Sequence, residues 1–474
     1  LALSLAPLCA LVAALFLADQ FASVEARRDW WWAGLQLWAF PVPYRVLAAL
    51  APLLVLALPS AVYTRMAGAV ARGARRVCAC VVAAPGAAMV VLFPVLWLFR
   101  ATLLGFGDSV FFATDVVPRE AMSERGVLVV YDAIGVWWLH TMGYRWMHRL
   151  FGLDVVTVYN LLGLLSLWLF LWWAWCMGRR GAVLAGGAAM AALLCGNWAQ
   201  VAMGPVEHYA QMMLCLAAFG ILGVECLQGR AALWQPTLAY ALGAFFHLGV
   251  AWLFPALVAL WCWRWRAESR DGRWSALAAA VIPAALTGTL AYQSGFDLSF
   301  FAASNAGRGK LIPFLSERDV YSGALYQYST FDPRHLFHIL SEMLLMGWPG
   351  VLLLAGTAWA GRRGNAPPLA TPALGFLLVF LGGTLAFNLL WNPDLGFWAD
   401  QDLFSTVGLA LCLLGAFVYT QRAPWWDDAT RARVLGVALV GGLLWRLPVM
   451  LFHSVLAPNY AEPTVIKVVY PFLS

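Results

Sequence analysis

Apolar stretches of membrane-spanning length recur along the chain, near residues 1–19, 46–63, 77–99, 153–177, 182–203, 209–227, 275–295, 337–358, 370–391, 403–421 and 431–452. About 20 apolar residues in helical form cross the hydrocarbon layer of a bilayer, so each run predicts one transmembrane helix. The stretch 232–264 is apolar for longer than one ordinary helix, and Gly249 interrupts it near the middle. It reads as two short crossings or a re-entrant pair. The pattern predicts an all-α, polytopic transmembrane bundle of about 13 helices. Residues 1–18 lack a small-residue cleavage site and read as a retained helix rather than a signal peptide. Three regions follow: an N-terminal hairpin at 1–63, a core at 64–452 with polar insertions at 100–152, 296–336 and 392–402, and a tail at 453–474.

Composition agrees. Of 474 residues, 62% are hydrophobic and 11% charged, where a soluble domain carries roughly 25% charge. Mean hydropathy is +0.75. A water-soluble enzyme, a disordered chain and a fibrous chain are excluded. The 26 tryptophans suit a protein with much membrane–water boundary. All nine cysteines lie in or beside apolar runs, so neither a disulfide framework nor a zinc knuckle is predicted.

The net charge of +6 is an orientation signal. When the connections are numbered alternately, one set is short and holds 16 basic residues, from Arg65 to Arg433, against five acidic ones. The other set holds 13 basic and 19 acidic residues, and Arg446 lies within a helix. The positive-inside rule places the first set in the cytoplasm. This alternation requires 232–264 to enter and leave on the same side. The non-cytoplasmic face then carries every long connection: 20–45, 100–152, 296–336, 392–402 and 453–474. Long connections are where function concentrates. Nucleic acid is excluded as a partner by the compartment, whereas membrane lipids and protein partners within the membrane are expected.

Candidate chemistry gathers on that face. Asp108, in Gly107-Asp108-Ser109, sits where the third apolar run surfaces. A carboxylate at the edge of low dielectric serves as a general base or holds a divalent cation such as magnesium or manganese, although Gly-Asp-Ser is also ordinary turn chemistry. Residues 131–151 form an amphipathic segment suited to lying in the interface, with Ile134, Trp137, Trp138, Met142 and Trp146 broadly on one side and Arg145, His148 and Arg149 interspersed. Glu207 and His208 occupy a very short outer connection, where ionisable groups are costly or cap the next helix. His247 lies near the tip of the 232–264 hairpin, where a satisfied buried histidine is the simpler reading. Arg308, Lys310, Arg334 and His335 offer basic groups suited to lipid phosphate, with Glu317, Asp319 and Asp332 close enough to balance them. Asp394, Asp400 and Asp402 fall in a short aromatic-lined turn and suit sugar hydroxyls, a metal or an N-cap. Phosphate-loop, nucleophile-elbow, HExxH and haem-attachment motifs are absent from the sequence.

Together these features resemble the GT-C superfamily of integral-membrane glycosyltransferases, particularly bacterial relatives of the protein O-mannosyltransferase and aminoarabinose-transferase type. The resemblance rests on Gly107-Asp108-Ser109, the interfacial segment 131–151, Gly204-Pro-Val-Glu207-His-Tyr209 and the run from Asn392 to Phe404, and covers residues 77–452 as architecture. It implies a polyprenyl-phosphate-linked sugar as donor and an active site at the outer face of a bacterial cytoplasmic membrane. Asp108 would be the catalytic base or the anchor for metal or acceptor, and Arg334 the contact for lipid phosphate. Here the acidic loop follows the third apolar run, which makes 1–63 an additional hairpin. Two alternatives stand beside this reading. One is a non-catalytic structural or assembly subunit of a larger membrane complex. The other, a transporter, calls for inverted repeats and mid-membrane charge; only Arg446 and Glu342 are marginal candidates for the latter.

Overall fold

The structure is a computed structural model that describes residues 83–100, 112–122, 133–203, 209–293, 329–361, 371–391 and 404–451, plus residues 50, 58–59, 61–62, 65 and 369. All regular structure among these residues is helical. The elements are α1 Pro85–Leu98, α2 Val117–Met122, α3 Ile134–Phe151, α4 Val155–Arg179, α5 Gly187–Leu194, α6 Trp198–Val201, α7 Ala210–Leu227 and α8 Trp234–Phe246. They continue with a 3₁₀ turn at Leu248–Leu253, α9 Phe254–Arg264, α10 Arg270–Gln293, α11 Pro333–Gly361, α12 Pro372–Leu390, α13 Thr406–Arg422 and α14 Asp428–Leu451.

Six helical segments among the described residues are long and apolar enough to cross a membrane: Val155–Arg179, Ala210–Leu227, Arg270–Gln293, Pro333–Gly361, Pro372–Leu390 and Thr406–Trp425. The chain is a multi-span helical integral membrane protein. These six match the apolar runs at 153–177, 209–227, 275–295, 337–358, 370–391 and 403–421. The N-terminal hairpin 1–63 lies almost wholly outside the described residues, as does the tail 453–474.

Two runs expected as helices are discontinuous. The run 182–203 contains a break at Cys195–Asn197 between α5 and α6. The stretch 232–264 is interrupted as expected, but at His247, whose backbone turns extended (φ −154, ψ 127). His247 repairs the ends it creates: its own N–H reaches the Gly243 carbonyl at 2.9 Å, and its Nδ1 accepts from the Gly249 N–H at 2.9 Å.

The centre of the bundle is the pair α11 and α13, which lie backbone to backbone. A Cβ placed on Gly415 would come within 2.6 Å of the Gly350 carbonyl oxygen, and one on Gly350 would collide with the backbone of Leu411. In a bilayer, where lipid is as apolar as leucine, such close backbone packing of small residues is a main source of helix association. Around this seam Phe219, Phe376 and Phe380 pack ring to ring, with centroids 5.4 Å and 5.8 Å from Phe219. At the end of the bundle that the charge pattern predicts to be cytoplasmic, buried Glu225 joins three segments: it pairs with Arg230 at 2.6 Å and accepts the Val183 N–H at 2.8 Å.

Helix α3 covers most of the segment expected to be amphipathic, and its aromatic residues divide between two faces. Trp137 and Ile134 are buried against the protein, whereas Trp138, Trp146, Leu150 and Phe151 point outward. The reason is geometric: positions 137 and 138 lie about 100° apart on a helix, so one side cannot carry both. Gly152, at φ 67, ends the helix in the left-handed conformation, the usual place for glycine. Asp154 then starts α4 by accepting the Thr157 N–H at 2.8 Å. Asp154→Ala is expected to lower stability by about 1 kcal/mol through loss of this cap, read as a reduced unfolding midpoint in detergent.

Candidate site at the outer end of the bundle

Several helix ends meet at the predicted non-cytoplasmic end: the start of α7, the hairpin tip at His247–Leu253, the end of α12, and the starts of α11 and α13. Aromatic rings connect them. Tyr209 faces His247 at 5.2 Å and Trp252 faces Phe387 at 6.0 Å. Phe387 stacks on Trp391 at 5.7 Å and on Phe404 at 5.3 Å. A cleft of about 10 Å³ lies beneath them, lined by Met212, Gly249, Trp252, Thr384, Phe387 and Thr406 among others. That is room for about one water.

Described residues that flank two of the segments bearing the expected carboxylates lie at this end. Tyr209 follows the connection containing Glu207 and His208, and Trp391 and Phe404 flank the turn containing Asp400 and Asp402. Those four residues lie outside the described residues, as do Asp108, Arg308 and Lys310. His247, Arg334 and His335 are described. His247 is buried, at 5% exposure, and its Nδ1 serves as the acceptor for Gly249, so a neutral ring carries its proton on Nε2.

Arg334 and His335 begin α11. The Arg334 guanidinium grips Asp332 with two nitrogens, Nη2 to Oδ2 at 3.1 Å and Nε to Oδ1 at 3.3 Å. It remains about one-third exposed, at 35%. His335 is fully buried, at 0% exposure. Its Nδ1 lies 2.9 Å from the Thr330 carbonyl oxygen and its Nε2 3.1 Å from that of Asn388. The imidazole therefore links the start of α11 to the end of α12 and holds Arg334 at the mouth between them. Asn388 adds bonds from Nδ2 to the Thr384 carbonyl at 3.0 Å and to that of Phe404 at 3.5 Å.

Beside this end, α3 presents a buried histidine. His140 stacks on Tyr159 with ring centroids 3.9 Å apart, and its Nδ1 lies 2.9 Å from the Val136 carbonyl oxygen. Burial pushes its pKa down from 6.5 to about 4, opposed by the bond to Val136. The folded protein thus holds His140 neutral while an unfolded chain protonates it. The stability this confers is complete above pH 6.5 and falls as the pH drops toward 4, by about 3 kcal/mol in full. The unfolding midpoint is expected to decline over that window, and His140→Phe, which keeps a ring on Tyr159, is expected to flatten the decline.

Among the described residues no group of three or more histidine, cysteine, aspartate or glutamate side chains is placed to hold a metal. The polar residues that sequence reasoning passed over are Asn388, His140, Asn197 and Gln200, all buried. Single polar residues in apolar runs give no periodic signal. His338 and Glu342 are a different case: with His335 they fall at three- and four-residue spacing, which places them on one helix face. No protein-family model, curated protein or solved structure matches this chain.

Proposed function

We propose that this chain is a membrane glycosyltransferase that moves a sugar from a polyprenyl-phosphate donor to an acceptor at the non-cytoplasmic face of a bacterial cytoplasmic membrane. The observation that carries this reading is the convergence at one end of the bundle. An aromatic-lined mouth and an arginine already held in bidentate geometry lie there. Aromatic faces suit the apolar face of a sugar ring, with a few polar groups fixing its orientation. In this reading Arg334 exchanges the Asp332 carboxylate for the lipid phosphate, which presents the same paired oxygens.

The reaction follows from those roles. An acceptor hydroxyl gives its proton to Asp108 as its oxygen attacks the anomeric carbon. The bond from that carbon to the phosphate oxygen breaks, and the leaving phosphate is stabilised by Arg334 with Arg308 and Lys310. His335 positions Arg334. Glu207, His208, His247, Asp400 and Asp402 orient sugar and acceptor. If a magnesium or manganese ion takes part, Asp108 is its anchor. A photoreactive polyprenyl-phosphate, irradiated with the reconstituted protein and mapped by mass spectrometry, is expected to label the α11–α12 mouth. Labelling spread evenly over the lipid-facing helices would contradict the reading.

A second reading, a non-catalytic subunit of a membrane complex, is favoured by two observations. The outer cleft admits only about one water, and α10 leaves Trp274, Val281, Ile282 and Tyr292 exposed, at 61–86%. Stable co-purification of a second membrane protein, without donor binding, would select it.

A further inference from the structure

The turn between α9 and α10 is held from within by one of the arginines beside it. Trp265 stacks on Trp261 with ring centroids 5.0 Å apart, and the Arg273 guanidinium lies over Trp265, 5.7 Å from the ring centroid. Arg273 also donates from Nε to the Trp265 carbonyl at 2.8 Å and from Nη2 to that of Arg266 at 3.3 Å. Ser269 Oγ accepts the Gly272 N–H at 3.0 Å. These bonds fix the backbone on which Arg266 and Arg270 stand.

Arg266 and Arg270 are placed differently from Arg273. Both are exposed, and neither guanidinium makes a hydrogen bond or ion pair among the described residues. Of the two acidic residues between 264 and 273, Glu268 lies 4.0 Å from Arg264 and Asp271 is exposed. Four arginines and two carboxylates leave the turn with an excess of two positive charges.

The depth of the turn follows from the length of α10. Its 24 residues make about 36 Å of helix, against a hydrocarbon layer of about 30 Å. The first turn of α10 therefore stands at the membrane boundary, on the side that the charge pattern predicts to be cytoplasmic. Trp274 is 62% exposed there, as suits an indole at that level. Positions 270, 274, 281 and 285 fall within an arc of about 60° on a helix, and all four are exposed. One outward strip thus carries an arginine at the boundary, a tryptophan next to it, and Val281 and Ala285 at the depth of acyl chains.

We propose that this turn and strip bind an anionic phospholipid of the adjoining leaflet, with Arg266 and Arg270 on its phosphate and an acyl chain along Trp274 and Val281. Guanidinium groups take phosphate oxygens in pairs, and anionic lipid attracts basic segments at the cytoplasmic membrane edge. The apolar strip continuous with the charges favours a lipid over free phosphate or an acidic peptide, neither of which would use it. The site lies at the other end of α9 from the His247 tip, so it does not rest on the glycosyltransferase reading.

The test titrates the full chain, purified in detergent, with phosphatidylglycerol carrying a diazirine in one acyl chain, and maps the label after irradiation. The expected label falls on peptides containing residues 274–285. Unlabelled phosphatidylglycerol is expected to suppress it, whereas phosphatidylcholine and inorganic phosphate are not. The double variant Arg266→Gln/Arg270→Gln is expected to need about 30-fold more lipid for half-labelling, about a factor of five for each basic group. Arg179→Gln/Arg180→Gln removes the same charge from another exposed pair and is expected to leave the α10 label unchanged. Equal competition by phosphatidylcholine, suppression by inorganic phosphate, or the same loss in both double variants would overturn the proposal. So would absence of label on α10, the result that a protein seated on that face would give. If the Arg266/Arg270 variant does not fold, the position of the wild-type label and its competition decide.

Discussion

Gly350→Ala is expected to destabilise the bundle by about 3 kcal/mol or more, near the upper end of the usual range for overpacking. A Cβ at this position falls on the carbonyl group of Leu411 and comes within 2.5 Å of the Cys412 nitrogen. The atoms it meets belong to backbone, so no rotamer change relieves the clash. Helices α11 and α13 would have to separate, and with them the Gly415 approach to Gly350. The internal control is Gly288→Ala in α10, where an added Cβ meets nothing within 4 Å. That variant is expected to be neutral or more stable, by up to about 1 kcal/mol from helix propensity. Unfolding midpoints in detergent, followed by tryptophan fluorescence, give both values. Similar midpoints for the two variants would remove the α11–α13 seam as the core of the fold.

Arg446→Leu carries the second large effect. The end of a helix leaves carbonyls without intrahelical partners, and in a bilayer each unsatisfied group costs several kcal/mol. At the α5–α6 break three carbonyls are supplied from side chains: Leu193 by the Trp198 indole at 2.8 Å, and Leu194 and Gly196 by Arg446. Leucine keeps the bulk and removes both of Arg446's bonds, at a cost of about 3–5 kcal/mol by analogy with breaking a buried charged pair. Lysine, a point donor without arginine's fork, is expected to recover only part of the loss. Amide exchange at 196–200 should accelerate in the leucine variant more than in the lysine one. Unchanged exchange in both would show that the break is supported by other groups.

The elements that could be read from sequence were those with one dominant cause. Long apolar runs fix the six spanning helices because burying or solvating the backbone in lipid leaves few alternatives. The hairpin at 232–264 was visible in its excess length, although its turn falls at His247, where a side chain can cap the exposed backbone, and not at the more permissive Gly249. The break at Cys195–Asn197 was hidden. Its sequence is as apolar as a continuous helix, and its stabilising partner, Arg446, lies 250 residues away. The same holds for the outer end. Arg334 and His247 stood out as single charged or titratable residues, whereas Asn388, whose side-chain amide reaches the Phe404 carbonyl just before α13, is an unremarkable amide in an apolar run. The two rows of α3 were blurred because Trp137 and Trp138 look alike in sequence and face different surroundings in the fold.

The central claim is transfer of a sugar from a polyprenyl-phosphate at the outer face. The most direct measurement reconstitutes the full chain in lipid vesicles with a radiolabelled polyprenyl-phosphate sugar and follows label leaving the lipid fraction. The expected result is donor-dependent release or transfer by the wild-type protein, strongly reduced in Asp108→Ala and in Arg334→Ala. Wild-type activity that is unchanged in Asp108→Ala would contradict the catalytic assignment, and no donor turnover or binding by the folded wild-type protein would contradict the claim itself.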